Sequence, residues 1–257
     1  MPDAEDRDLP RVLILAGTAE GRAIAETLAS SRTVSPIVSL AGLTDAEAPA
    51  NVVMRRGGFG GMGGLANYLR AVRAAALIDA THPFAAAMHR HAAQAASTAA
   101  VPFFRVQRRP WLPEPGDRWH PFDSLDAGLS WLRAQHATRV FATLGRRALP
   151  RLAAEPALHF VVRGITRPES LPPNVTWIAG RPPFPPASEA ALLKRHAVEA
   201  LFVQASGGDL TRDKLAAARE LGLPVAMLTP PQEPGGGASG SVADALAWLE
   251  RVVGDDA

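Results

Sequence analysis

The sequence predicts an α/β protein of two domains, each a parallel sheet covered by helices on both faces. Three observations lead there. Short apolar runs rich in branched residues alternate with stretches of helical spacing along most of the chain, the pattern of strands joined by crossover helices. The alternation stops once, in the proline- and tryptophan-crowded segment 109–122 (RPWLPEPGDRWHPF), and then restarts, which sets domains at 1–110 and 111–257. A length of 257 residues suits one large domain or two small ones.

In chain order, residues 11–16 (RVLILA) read as a strand that breaks at Gly17, and 20–29 carry helical spacing. Residues 34–41 (VSPIVSLA) make a second strand, 65–74 a helix and 76–80 (ALIDA) a third strand. The alanine-rich stretch 84–98 is a helix with Pro83 at its entry, and 101–106 a fourth strand. No regular element is expected in 109–122. The second half gives helices at 125–135, 146–154, 188–196 and 211–221, and strands at 139–144, 158–163, 175–179, 200–205 and 224–228. Residues 230–239 (PPQEPGGGAS) read as a flexible connector, and 242–252 as a terminal helix that must dock on the body.

Composition narrows the chemistry. With 47% hydrophobic and 20% charged residues, the chain is an ordinary globular protein, neither disordered nor fibrous. It has no cysteine, which excludes disulfides, thiolate nucleophiles, cysteine-based zinc sites and iron–sulfur clusters. Asp3, Glu5, Asp6 and Asp8 stand where a signal peptide needs positive charge, and no apolar run approaches about 18 residues. The expectation is a cytoplasmic protein with no membrane contact. A formal net charge of +2 coexists with a pI of 9.6 because Lys194 and Lys214 are the only lysines; arginine carries the rest and does not titrate in the working range. The arginines are dispersed without interleaved aromatics, so nucleic acid is not expected, whereas a small polyanionic ligand suits guanidinium groups well.

Several turns carry candidate chemistry. Gly17-Thr18-Ala19-Glu20-Gly21-Arg22 joins the first strand to the first helix with small residues. Such a turn either presents backbone N–H groups to an anion or lets the helix pack close to the sheet. The second strand ends Ser39-Leu40-Ala41-Gly42 without a carboxylate, and Arg55 and Arg56 lead into the next loop, which leans toward NADPH over NADH. Gly57-Gly58-Phe59-Gly60-Gly61-Met62-Gly63-Gly64 holds six glycines in eight positions; that costs conformational entropy and implies either a close approach to the backbone or a lid. Phe59 either stacks on a ring or anchors the loop.

Asp79-Ala80-Thr81-His82-Pro83-Phe84 ends the third strand with a carboxylate, a hydroxyl and an imidazole, at the sheet edge where open α/β folds place ligands. His82 either orients a cofactor, donates a proton or packs. His89 and His91 lie two apart on the following helix and cannot face one ion, so no metal site is expected. In the second half Thr143-Leu144-Gly145-Arg146-Arg147 and Gln204-Ala205-Ser206-Gly207-Gly208-Asp209-Leu210-Thr211 form further anion-ready turns. Lys214 follows as a compact ammonium able to contact a carboxylate or phosphate, or to stand exposed on its helix.

The blocks ILAGTAEGR, SLAG, GGFGG, DATHPFA, RRPW, TLGRR and ASGGDLTRDKLAAARELGLPV together resemble the precorrin-6A reductase family of cobalamin biosynthesis, from Arg11 to about Leu249. The resemblance implies two Rossmann-like domains, with NADPH and a tetrapyrrole bound in an interdomain cleft. It implies hydride transfer to C19 of precorrin-6A, protonation at C18 and release of precorrin-6B, with other corrin-pathway enzymes as neighbours. Gly17, Thr18, Glu20, Gly21 and Arg22 match the family's first glycine turn; Thr81, His82, Pro83 and Phe84 match its DATHPFA block. Ser206, Gly207, Gly208, Thr211 and Lys214 match its Ser-Gly-Gly block, although Gln204-Ala205 stands where the family usually has Lys-Asn. The expected roles are pyrophosphate binding by the first turn and 2′-phosphate binding near Ser39 and Arg55, with Gly57 and Gly58 also against the cofactor. Thr81 to Phe84 would position the nicotinamide or macrocycle, with His82 and Lys214 as catalytic candidates and Lys214 and Arg146 on substrate carboxylates. Two other classes use similar turns: an S-adenosylmethionine-dependent methyltransferase and a non-catalytic NADPH-sensing module.

Overall fold

The structure is a computed structural model and describes residues 9–40, 51–231 and 238–254. The acidic N-terminus, Ala41-Gly42 at the end of the second strand and most of the 230–239 connector lie outside the described residues. Along the chain run β1 (Arg11–Leu15), α1 (Ala19–Ala29), β2 (Ser35–Leu40), β3 (Val53–Arg56), α2 (Met62–Ala71), β4 (Ala74–Asp79), α3 (Ala86–Ala99) and β5 (Phe103–Val106). Then come β6 (Trp119–Phe122), α4 (Leu125–Ala134), β7 (Arg139–Thr143), a single 3-10 turn at Arg146–Ala148, α5 (Leu149–Ala153), β8 (His159–Gly164) and β9 (Val175–Ala179). The chain continues through α6 (Pro186–Arg195), β10 (Ala200–Gln204), α7 (Asp213–Glu220), β11 (Val225–Leu228), β12 (Ala238–Gly240) and α8 (Val242–Gly254).

Two compact units result, Met1–Arg108 with Gln232–Ala257, and Arg109–Pro231. The first holds a six-stranded sheet in the order β12-β5-β4-β1-β2-β3, the second one in the order β6-β11-β10-β7-β8-β9. Neighbouring strands are parallel in both sheets. In each, the chain winds outward from a central strand and returns to that strand's other side. The reversal lies between β1 and β4 in the first unit and between β7 and β10 in the second, and ligands of open α/β sheets bind outside the carboxyl ends at such a point.

The central strands are almost wholly buried runs, as sheets covered on both faces require. In the first unit Ile24 and Leu28 of α1 and Ala245 and Leu249 of α8 pack on one face. Leu65 and Leu69 of α2 and Ala92 and Ala95 of α3 cover the other. In the second unit Leu129, Leu132 and Leu152 of α4 and α5 lie on one face, and Leu193, Leu215 and Ala218 of α6 and α7 on the other.

Four expectations are corrected. The terminal segment assigned to domain 111–257 joins the first unit instead. There β12 pairs with β5, and Trp248 of α8 packs against Phe104 with ring centroids 5.3 Å apart. Without α8 the β4–β5 face would be bare. An additional strand, β3, ends in Arg55 and Arg56, which lead from it into the glycine loop. Segment 109–122 contains β6, an edge strand that tolerates Pro121 because its outer side needs no donor. Part of the expected connector is β12. Among the described residues no helix is long and apolar enough to cross a membrane, and no group of three or more His, Cys, Asp or Glu side chains is placed to hold a metal ion.

Candidate functional site

In the first unit the β1–α1 turn and the β4–α3 turn flank the β1/β4 reversal. Gly17 has φ +132° and open space where a Cβ would stand, so its backbone is accessible. Gly21 is different: a Cβ there would lie 3.0 Å from the Ala16 Cβ and 3.1 Å from the Ala16 Cα. It sets the close approach of helix to strand. Thr18 caps α1 by accepting from the Gly21 N–H at 3.2 Å and donates to the Ala80 carbonyl at 2.7 Å. Its hydroxyl therefore ties the two turns together.

Glu20 sits in the first turn of α1, where its charge would oppose a bound anion. Arg108, just past β5, meets it at 2.7 Å. Burial alone would raise the Glu20 carboxyl; the Arg108 hydrogen bond and charge outweigh it and hold it below the usual range. Thr18, Glu20, Thr81, Pro83 and Arg108 line one small depression. The side chain of Arg22 is exposed on α1.

The turn after β4 is fastened from below. Asp79 is fully buried; its Oδ1 accepts from the Thr81 N–H at 3.0 Å and the Thr81 hydroxyl at 2.7 Å, and its Oδ2 lies 2.6 Å from His89 Nδ1. Burial raises the Asp79 carboxyl, but the His89 and Thr81 contacts prevail and lower it. His82 is half-buried, and its Nδ1 accepts from the Phe84 N–H at 3.3 Å, which leaves the proton on Nε2. Burial first, then the Arg108 and His89 charges, push its pKa down to about 4, with Glu20 opposing. His82 is therefore a neutral hydrogen-bond donor at pH 7. Phe84 stands tilted beside it, centroids 5.8 Å apart.

At the carboxyl ends of β2 and β3, Arg55 donates to Ser39 Oγ at 3.4 Å and to the carbonyls of Gly57 and of Gly58, the latter at 2.7 Å. Its guanidinium covers the Phe59 ring at 3.8 Å, and Phe59 meets Tyr68 edge-on. Phe59 thus anchors the glycine loop. The close backbone approach expected in this loop comes from within it, since a Cβ on Gly64 would collide with the Phe59 carbonyl.

In the second unit the turns after β7 and β10 flank the other reversal. Gly145 has positive φ with open space beside it, and Arg146 is exposed. The Gly208 N–H donates to the Arg109 carbonyl at 3.1 Å, and the Gly208 carbonyl accepts from Trp111 Nε1 at 2.5 Å. Ser206 is buried. Lys214 is only 3% exposed; its Nζ donates to the Thr211 carbonyl and lies 4.9 Å from the Trp111 ring centroid. Burial and the Arg163 charge push its pKa down to about 7, partly offset by Glu189 and Asp213. Lys214 is thus buried against the Ser-Gly-Gly turn, which overturns the alternative of a cation exposed on its helix. Arg163 forms a buried two-pronged pair with Glu189 and stacks on Phe184 at 3.7 Å. A larger hollow of about 480 Å³ beside Arg139 and His159 opens at the amino ends of β7 and β8, the edge opposite these turns.

Sequence reading gave no role to Arg108 and Trp111, although the RRPW block holds both, and did not find the Arg163–Glu189 or Asp79–His89 pairs. The Asp79–His89 pair left a local trace in an acidic strand end ten residues before a histidine on the next helix.

Residues 11–250 match the family model described as precorrin-6x reductase CbiJ/CobK. The chain is 42% identical over 244 residues to the precorrin-6A reductase of Rhodococcus erythropolis, covering 94% of this chain and 98% of that one. It is 39% identical over 229 residues to that of a Sinorhizobium species, covering 88% and 87%. Among solved structures it is similar to one described as CobK precorrin-6A reductase, with TM-score 0.87 and 34% identity over 95% of this chain and 97% of that chain.

Proposed function

The chain belongs to the precorrin-6x reductase family, and we propose that it reduces precorrin-6A to precorrin-6B with NADPH, hydride entering at C19 and a proton from solvent at C18. One observation carries the reading most: an open glycine backbone at Gly17 and a capped α1 N-terminus meet the Thr81–Phe84 turn at the β1/β4 reversal. That arrangement fits a dinucleotide. When bound, the nicotinamide supplies the hydride, so the protein needs no nucleophile.

The chain's own residues hold and orient. Gly17 to Arg22 would take the pyrophosphate on backbone N–H groups, with Arg108 neutralising Glu20 beside it. Ser39 and Arg55 would hold the 2′-phosphate, Arg55 being already fixed by Gly57 and Gly58. His82 would offer Nε2–H, and Pro83 and Phe84 an apolar wall. In the second unit Arg146, Ser206, Gly207, Gly208 and Thr211 would meet the carboxylates that fringe the macrocycle, on a turn that Lys214 and Trp111 keep in shape.

The test is reduction of precorrin-6A with NADPH deuterated at the transferable position. Deuterium at C19 of the product is expected. NADPH consumption with deuterium elsewhere, or no consumption, refutes the reading.

A further inference from the structure

His89 touches neither the glycine turn nor the depression beside Thr18, yet every polar atom it carries is engaged. It lies in the first turns of α3 and is 3% exposed, beside an Asp79 that is fully buried. Its Nδ1 sits 2.6 Å from Asp79 Oδ2 and 3.3 Å from Thr81 Oγ1. Its Nε2 sits 3.1 Å from the His82 carbonyl oxygen. A carbonyl only accepts, so Nε2 carries a proton. On its other side the ring turns Nδ1 toward the Asp79 carboxyl, which anchors it. The same His82 carbonyl accepts from the Ala85 N–H at 2.7 Å, so two donors hold it.

We propose that His89 is a positioning residue for the reduction: by donating from Nε2 to the His82 carbonyl while Asp79 anchors its Nδ1, it fixes the peptide from which the His82 side chain projects. The inference rests on the catalytic reading of the Thr81–Phe84 turn. Asp79 is the last residue of β4, so the chain of contacts carries the rigidity of the sheet into the turn. Packing alone would need neither of two directed bonds from one ring.

Two substitutions separate positioning from packing. His89→Asn can place an amide where Nδ1 stands and keep the Asp79 bond, but cannot reach the His82 carbonyl. His89→Gln can place its amide near Nε2 and keep the carbonyl bond, but leaves Asp79 short of a donor. Stability and turnover should therefore rank in opposite orders. His89→Asn melts higher than His89→Gln, yet loses kcat by at least about tenfold with NADPH affinity nearly unchanged. His89→Gln keeps kcat within about threefold of wild type. Turnover that follows melting temperature, or equal losses in both variants, overturns the proposal.

A second measurement needs no variant. Nitrogen-15 NMR of the histidine rings at pH 7 should show His89 carrying a proton on Nε2, and His82 protonated on Nε2 alone. A His89 ring with a bare Nε2 overturns the proposal whatever the variants do. Wild-type turnover in His82→Ala would instead overturn the catalytic reading of the turn, and the ring spectra tell the two failures apart.

Discussion

Lowering the pH should destabilise this protein through His82 in a way that a non-titrating replacement reveals. The imidazole moves from its ordinary 6.5 in the unfolded chain to about 4 in the folded one, because burial and then Arg108 and His89 disfavour its cation. The depression is about two and a half pH units, or about 3 kcal/mol. The folded state binds fewer protons than the unfolded state between those values. The stability tied to neutral His82 is therefore complete above pH 6.5, drains as the pH falls and is gone below about 4. At pH 7 only about one ring in a thousand is protonated. Wild type and His82→Gln should be unfolded in urea from pH 7.5 to 4. Taking the difference cancels the titrations of other groups, and wild type should lose about 3 kcal/mol relative to the variant across that range. A flat difference, or an NMR titration of the His82 ring above about pH 6, would refute the neutral-donor assignment.

Other expectations follow from the same geometry. Arg55→Ala removes a guanidinium shared by Ser39, Gly57 and Gly58; it should raise KM for NADPH about tenfold or more and KM for NADH far less, measured by steady-state kinetics. Lys214→Met should change the pH dependence of stability: the folded ammonium titrates near 7 against 10.5 unfolded, so wild type gains on the variant as pH rises from 7 to 10.5, read by urea midpoints. Leu249→Ala should cost about 2 to 5 kcal/mol, and hydrogen exchange should show lost protection in β4 and β5 with Arg109–Pro231 unchanged.

The central strands were legible because burial on both faces demands unbroken apolar runs, and RVLIL, ALID, VFAT and ALFV supply them. The strands that escaped, β3, β6 and β12, all lie at sheet edges. An edge admits arginine, proline and glycine, so their local sequence resembles loop. Reassigning α8 required knowing which face of the first sheet lacked a cover, a property of the packed unit and not of the helix. The turns were placed correctly at the sheet edge, but their internal fastening was not visible. Lys214 reads as a surface cation in sequence, and only packing beside Trp111 and Arg163 shows it buried. Asp79 and His89 pair across a strand end and a helix, a distance that neither period of local structure reports.

We propose that the β1/β4 reversal holds NADPH for the reduction of precorrin-6A. The most direct measurement is kcat/KM for precorrin-6A reduction with NADPH and with NADH at matched salt. Precorrin-6B should form with both, with NADPH favoured by at least about tenfold, equivalent to about 1.4 kcal/mol. Equal rates with the two cofactors would contradict the Ser39–Arg55 assignment, and no product with either would contradict the account as a whole.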